Sequence, residues 1–401
     1  MFFEILALFL GILAGTITGL LPAIHINLVS AFLIASSAFF LTFTSPLVLV
    51  IFIVSMTISH TFLDFIPSIF LGAPDEDSVL AILPGHELLL KGKGYEAVIL
   101  TLYGCIIGII FILILSPVFV FILPKIYNYL KFTMFFILIF TNLYLIFKEK
   151  TSKLNALLVF LLSGFLGLST LSLPIKESLL PLLTGLFASS SLITSITKKQ
   201  KLPKQLVNSR RIKISKKELL KPSIAALLSA PLCAFLPALG TGQAAIIGSD
   251  IVGEVKRREF LILLGIINAM IAGLSFITLY SLDKARTGTA VAVQKLLENF
   301  TPNNLLIILA VILISAFFSF YIALFLAKIF ANKMTNVNYK NLSVLILIFI
   351  SVVVLIFSGF LGFLVFITAT STGLIAILLG VRRTHLMGSL MLPAILLYLP
   401  F

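Results

Sequence analysis

Leu236-Pro237-Ala238-Leu239-Gly240-Thr241-Gly242-Gln243 interrupts an otherwise apolar run between Pro222 and Ile251. The interruption sets a proline and two glycines beside two side chains that need hydrogen bonds. Inside a bilayer no water is at hand to satisfy backbone freed from a helix, so such a break must find its partners within the protein or line a wet cavity. A sister stretch, Leu21-Pro22-Ala23-Ile24-His25-Ile26-Asn27-Leu28, lies near the N-terminus. Paired interruptions in corresponding halves of a chain mark the binding site of many transporters.

The rest of the composition agrees with a lipid environment. Hydrophobic residues are 60% of the chain and charged ones only 11%, and mean hydropathy is +1.19. Soluble domains carry roughly a quarter charged residues. Apolar runs of about twenty residues recur without period-two alternation, which selects α-helices over a β-barrel. The chain therefore reads as an all-α polytopic membrane protein, multi-pass in the cell (plasma) membrane. Its net charge of +14 sits in connecting loops, as the positive-inside rule requires, and is not a sign of nucleic-acid binding. Cys105 and Cys233 both lie in apolar runs, so no disulfide or metal framework is expected. The start, Met1-Phe2-Phe3-Glu4, lacks a basic n-region and reads as a membrane segment rather than a removable signal.

Ten basic residues, from Lys198 to Lys221, face one acid, Glu218, in the long polar stretch 197–221. This stretch reads as a cytoplasmic linker between an N-terminal transmembrane repeat, 1–196, and a C-terminal one, 222–401. The loop Glu254-Val255-Lys256-Arg257-Arg258 is basic as well, so the chain between the two loops must enter the membrane and return. Its shape is a re-entrant hairpin tipped at 237–243, mirrored by one tipped at 22–27. About five transmembrane helices follow each hairpin. An odd number of crossings per half makes the repeats inverted in topology. Lys125 and Lys131 are exceptions to the charge rule. Ser163-Gly164-Phe165-Leu166-Gly167 recurs as Ser358-Gly359-Phe360-Leu361-Gly362, though at a shorter offset.

Candidate binding residues gather at the tips and at two polar connectors. At the second tip Gly240 and Gly242 permit tight turns, a helix opening at Gly242 would attract an anion, and Thr241 and Gln243 add neutral donors. Pro22, His25 and Asn27 supply the equivalent groups at the first. One connector is acidic, with Asp75, Glu76 and Asp77 before Ser78; the other is basic, with Lys284 and Arg286 before Thr289. Arg286 could clamp an anion bidentately, with Lys284 as a point charge. Ser78 and Thr289 also stand where helix N-caps belong. Asp75 and Asp77 could bind a coupling cation or proton. So could Asp64, an acid at membrane depth one turn after His60. Asp250 reads as interfacial, and His86 and His385 carry little signal. No metal-ligand spacing, nucleophile elbow or phosphate-binding loop is present.

Motif order adds a family. Gly19-Leu20-Leu21-Pro22, Gly72-Ala73-Pro74 with Ser78, Gly85-His86, and Lys91-Gly92-Lys93-Gly94-Tyr95-Glu96-Ala97 occur in the first half. Leu236 to Gly242 and the closing Gly380-Val381-Arg382-Arg383-Thr384-His385-Leu386-Met387-Gly388 occur in the second. In that order and spacing the chain resembles the large membrane subunit of tripartite tricarboxylate transporters, and more closely its archaeal single-chain relatives. The resemblance implies a secondary transporter of di- or tricarboxylates driven by an ion gradient. It also implies two partners, a small membrane subunit and an extracytoplasmic binding protein.

The expectation is thus an organic-anion carrier with alternating access and its site between the two tips. It needs no cofactor beyond a coupling Na+ or H+. A polyprenyl-phosphate flippase on the same fold, moving a lipid phosphate, is the second expectation. A membrane-embedded enzyme using His60 and Asp64 is the third.

Overall fold

The computed structural model describes residues 2–21, 26–72, 82–197, 203–207, 212–236, 239–253, 255–297, 299–334 and 338–399. All regular structure among them is helical, and eight helices are long and apolar enough to cross a membrane. Helix α1 (Phe2–Leu20) precedes the first break; α2 (Ile26–Ala35) and α3 (Ser37–Phe40) follow it. Then come α4 (Pro46–Leu63), α5 (Phe65–Leu71), α6 (Ile82–Leu90), α7 (Gly94–Phe147) and α8 (Lys153–Ser172). A π-helical turn, Thr184–Ser189, separates α9 (Leu179–Leu183) from α10 (Ser190–Thr197). The second half holds α11 (Lys216–Phe235), α12 (Thr241–Val252), α13 (Arg257–Leu282), α14 (Gly288–Leu296), α15 (Pro302–Met334) and α16 (Tyr339–Leu378). A 3-10 turn, Arg383–Met387, leads into α17 (Gly388–Leu397).

Order along the chain is alike in the two halves up to the polar connectors. Each has a helix, a break, a shorter helix, and then a deeply buried crossing, α4–α5 or α13. Both crossings stop on a left-handed residue, Gly72 at φ 64 and Asp283 at φ 51. Each connector then leads to a nine-residue helix, α6 or α14. The hairpins differ, however. Arms α11 and α12 pack on each other, whereas α1 lies along α4, and α2 lies against α14. At 12 residues, α12 is about 18 Å long and falls short of a hydrocarbon core of roughly 30 Å. It therefore cannot cross by itself.

Three features of the chain take a different form in the fold. The apolar runs 98–123 and 132–147 join in the single helix α7, with Pro117 and Pro124 inside it. Segments 343–363 and 366–381 run together as α16, broken at Gly359, whose φ is 68. The repeated Ser-Gly-Phe-Leu-Gly peptide is not a repeated structure. Gly164 and Gly167 lie mid-helix in α8, close against α17, while Gly359 is a backbone break with nothing near it. The identical peptides differ in surroundings: the first lies against α17, whereas in the second Ser358 donates to the Glu177 carbonyl at 3.0 Å and Gly359 has open space.

Lipid tails give helices little hydrophobic reason to associate, so close backbone approach through small residues carries the packing. Gly11, Gly15 and Gly19 of α1 line up against α4. Cβ atoms built on the first two would stand 2.5 Å from the Phe52 carbonyl oxygen and 2.3 Å from that of Met56. Helices α7 and α13 meet in the same way: a Cβ on Gly104 would fall 2.3 Å from the Ile262 oxygen, and one on Gly265 would fall 2.1 Å from that of Thr101. Polar ties fix the register. Ser319 of α15 bonds Ser59 of α4 at 2.7 Å, and Asn268 of α13 donates to Asp64 at 3.3 Å.

Gly265→Ala should therefore force α7 and α13 apart. The expected cost is about 1–3 kcal/mol, read as a lower unfolding midpoint in detergent, whereas alanine at the open position Gly240 leaves the midpoint nearly unchanged.

Candidate functional site

The second break is built by two helix ends and three side chains. Helix α11 starts with a capping box, Ser215 with Glu218, and α12 packs on it through a glycine. A Cβ on Gly248 would meet Ser229 Oγ at 2.6 Å and the Ala225 oxygen at 2.8 Å, so only glycine lets the arms close. Leu236 N–H still bonds back to the Leu232 carbonyl at 2.8 Å, ending α11. After 237–238, which lie outside the described residues, Leu239 is buried and Gly240 begins α12 in extended geometry.

Gln243 turns back to accept the Gly240 N–H at 2.8 Å. The sequence suggested this side chain as a donor into the gap; its oxygen instead caps the chain's own backbone, and it is buried. Thr241 is fully buried beside it. The first residues of α12, Thr241 and Gly242, carry the positive end of that helix's dipole.

Arg286 reaches the break from the connector between α13 and α14. Its Nη2 donates to the Leu239 carbonyl, and its Nη1 is buried with no hydrogen-bond partner among the described residues. Lys284, two residues earlier, does not join it. That ammonium lies 4.4 Å from the centre of the Tyr127 ring and bonds the Tyr127 hydroxyl. A lysine stem is flexible enough to be captured by whichever aromatic ring is near, a choice that local sequence does not encode. Thr289 is corrected as well: Thr287 caps α14 by accepting the Ala290 N–H at 3.2 Å, and Thr289 Oγ1 is buried 2.9 Å from Thr287 Oγ1.

Of the other expected residues, Asn27 lies in the first turn of α2. Pro22, His25, Asp75, Asp77 and Ser78 lie outside the described residues. Asp64 is 4% exposed where α4 meets α5, and accepts from Asn268. His60 Nδ1 contacts Thr18 Oγ1 at 3.1 Å, which ties α4 to α1.

Sequence reasoning missed a second polar cluster at Glu149, Arg383 and His385. Glu149 Oε2 accepts from the Arg382 N–H and pairs with His385 Nε2, both at 3.0 Å. Its Oε1 accepts the Lys150 N–H at 2.8 Å. Burial opposes the charge, but the Arg382 amide, the imidazole and the amides of Thr151 and Lys150 outweigh it and hold the carboxyl down to about 2. For His385, burial dominates and lowers the imidazole, with Glu149 offsetting part of that effect. Arg383 points the other way, into the π-helical turn, where it bonds Ser190 Oγ at 2.8 Å and the Leu186 carbonyl at 3.0 Å. The one available signal was a single acid, Glu149, set between Lys148 and Lys150. The turn also touches the break: Met387 Cε is 3.4 Å from where a Gly240 Cβ would be.

Comparison with known proteins supplies a family. The model of the tripartite tricarboxylate transporter TctA family matches residues 5–388. The chain is similar to an uncharacterized protein of Methanocaldococcus jannaschii, at 33% identity over 404 residues and 99% of each chain. No solved structure matches.

Gln243→Ala should leave the Gly240 N–H without its acceptor, at about 1–3 kcal/mol for a buried donor. Hydrogen–deuterium exchange should then rise at 239–243 while the α7 and α13 amides stay protected.

Proposed function

The chain belongs to the tripartite tricarboxylate transporter TctA family, and from that premise we propose that it is a secondary active transporter of an organic anion, of di- or tricarboxylate type. It is a multi-pass protein of the cell membrane. One observation carries the choice of anion: the Arg286 guanidinium, held at the break by the Leu239 carbonyl, keeps Nη1 buried and without a hydrogen-bond partner among the described residues. A buried guanidinium nitrogen with an unmet donor is costly. A carboxylate placed between Nη1 and the start of α12 would satisfy the arginine and the helix dipole together. Thr241 and Gly242 line the same break, and Pro22, His25 and Asn27 complete the site from the other one. The halves 1–196 and 222–401, joined by 197–221, are inverted repeats that rearrange around the anion for alternating access.

Coupling to an ion gradient belongs to the same proposal, with Asp64 as the intramembrane acid and Asp75 and Asp77 as the acids of the first connector. Asp64 supports this role by its depth, and because its Asn268 partner belongs to the opposite half. The family normally works with other subunits of its system and a binding protein, and the same kinds of partner are proposed for this chain.

Purified protein in liposomes should exchange labelled citrate or a dicarboxylate in counterflow. Arg286→Ala should weaken binding about 10–100-fold, as expected for losing a charge-assisted bond, and Arg286→Lys should recover only part of it. Gly240→Leu, driven into Met387, should abolish exchange. Scrambling of a lipid phosphate between leaflets without soluble-anion counterflow would overturn the proposal. Asp64→Asn should retain counterflow, which needs no gradient, yet lose accumulation against one; loss of both would remove Asp64 from the coupling role.

A further inference from the structure

Three segments far apart in the chain meet around a cleft of about 710 Å³ on the basic face. They are Lys148 and Lys150 just after α7, Asp250 and Gly253 at the end of α12, and Arg382 before the 3-10 turn. Val255 and Phe260 add apolar wall. The volume falls within the roughly 300–1,000 Å³ typical of small-molecule sites. Cations beside apolar wall suit an anion that carries an organic body.

The acids around this cleft are already engaged. Asp250 pairs with Lys148 at 3.5 Å and accepts from the Tyr144 hydroxyl at 3.0 Å. Glu149, between the two lysines, is buried and takes the Arg382 and Lys150 amides and His385. Lys150 and Arg382 thus bring two side-chain cations to the cleft with no carboxylate partner among the described residues. Other basic residues of this face are matched: Arg257 pairs with Glu87 at 2.7 Å, and Arg258 pairs with Glu96 and, at 3.1 Å, with Glu218. Helix ends temper the charge without reversing it. The carbonyl ends of α7 and α12 each bring about half a negative charge, and α13 offsets one of them with its positive start, where Phe260 lies.

We propose that the cleft binds a phosphate-bearing anion, the headgroup of a lipid or a free phosphate ester. A guanidinium presents a planar fork for two oxygens of one group, and an ammonium is a point charge that binds a third. A carboxylate has no oxygen left once the fork is filled, whereas a phosphate ester does. Binding would join the end of α12 to the turn whose Met387 backs Gly240, so the site would act on the break from the basic face. The binding itself does not depend on the transport reading.

Hydrogen–deuterium exchange of the full chain in phosphatidylcholine nanodiscs sets the baseline. Replacing part of that lipid with phosphatidylglycerol tests the headgroup, and adding glycerol phosphate to the unchanged discs tests the free ester. Exchange at 148–150, 249–253 and 380–383 should slow in at least one arm, and the arm that responds identifies the source. Lys150→Gln combined with Arg382→Gln should raise the half-saturating concentration about 10–100-fold. Arg257→Gln, whose charge is matched by Glu87, should change it little. Asp250→Asn removes an acid from the lining, keeps an acceptor for Tyr144 and frees Lys148, so it should tighten binding. That variant carries the test if the double variant does not fold. No slowing in either arm, an equal loss in Arg257→Gln and the double variant, or no tightening in Asp250→Asn would overturn the site.

Discussion

Backbone that leaves a helix inside a bilayer must be satisfied without water, and the geometry at 236–243 follows from that requirement. The Leu236 amide bonds back to α11, the Gly240 amide is capped by Gln243, and the Leu239 carbonyl receives Arg286. Two of the groups gathered there also suit an anion: the start of α12 and the guanidinium. The need to close the break and the capacity to bind at it come from one set of groups. Arg286 belongs to both, since one of its nitrogens serves the backbone and another is left over.

Around this break the molecule is stiff where glycine lets helices touch and adjustable where side chains span gaps. The buried crossings α4–α5 and α13 meet α1 and α7 through near-contact of backbone, and Asp64 with Asn268 joins one half to the other. Such interfaces have little freedom to slide, because a methyl group already overfills them. The hairpin and the 382–388 turn are held by Arg286, Arg383 and the Glu149–His385 contact instead. Long side chains can exchange partners at modest cost. Rearrangement is therefore easiest at the break and around the turn behind it, while the glycine-packed crossings serve as the frame.

The parts legible in the sequence were those governed by local chemistry. Apolar runs set the helices, and the proline and glycines of 236–243 set the interruption before the short helix α12. The polar connectors declared themselves as charge between apolar segments, and both begin after a left-handed residue. Segment boundaries were less legible, because two apolar runs with polar residues between them are carried within the single helix α7. The recurring Ser-Gly-Phe-Leu-Gly peptide was a poor guide for a related reason: its meaning depends on what stands opposite.

Sequence by itself determined an all-helical membrane protein, the interruption between α11 and α12, and the presence of Arg286 and Asp64 among the few charges worth attention. Those follow from partition into lipid and from backbone stereochemistry, which neighbouring residues fix. Only the tertiary structure decided that Lys284 is taken by Tyr127, that Gln243 serves the backbone, and that Glu149 finds His385 at a separation of 236 residues. A polar side chain in a low-dielectric interior bonds the partner that packing brings within about 3 Å, and that partner is set by helices meeting across the fold.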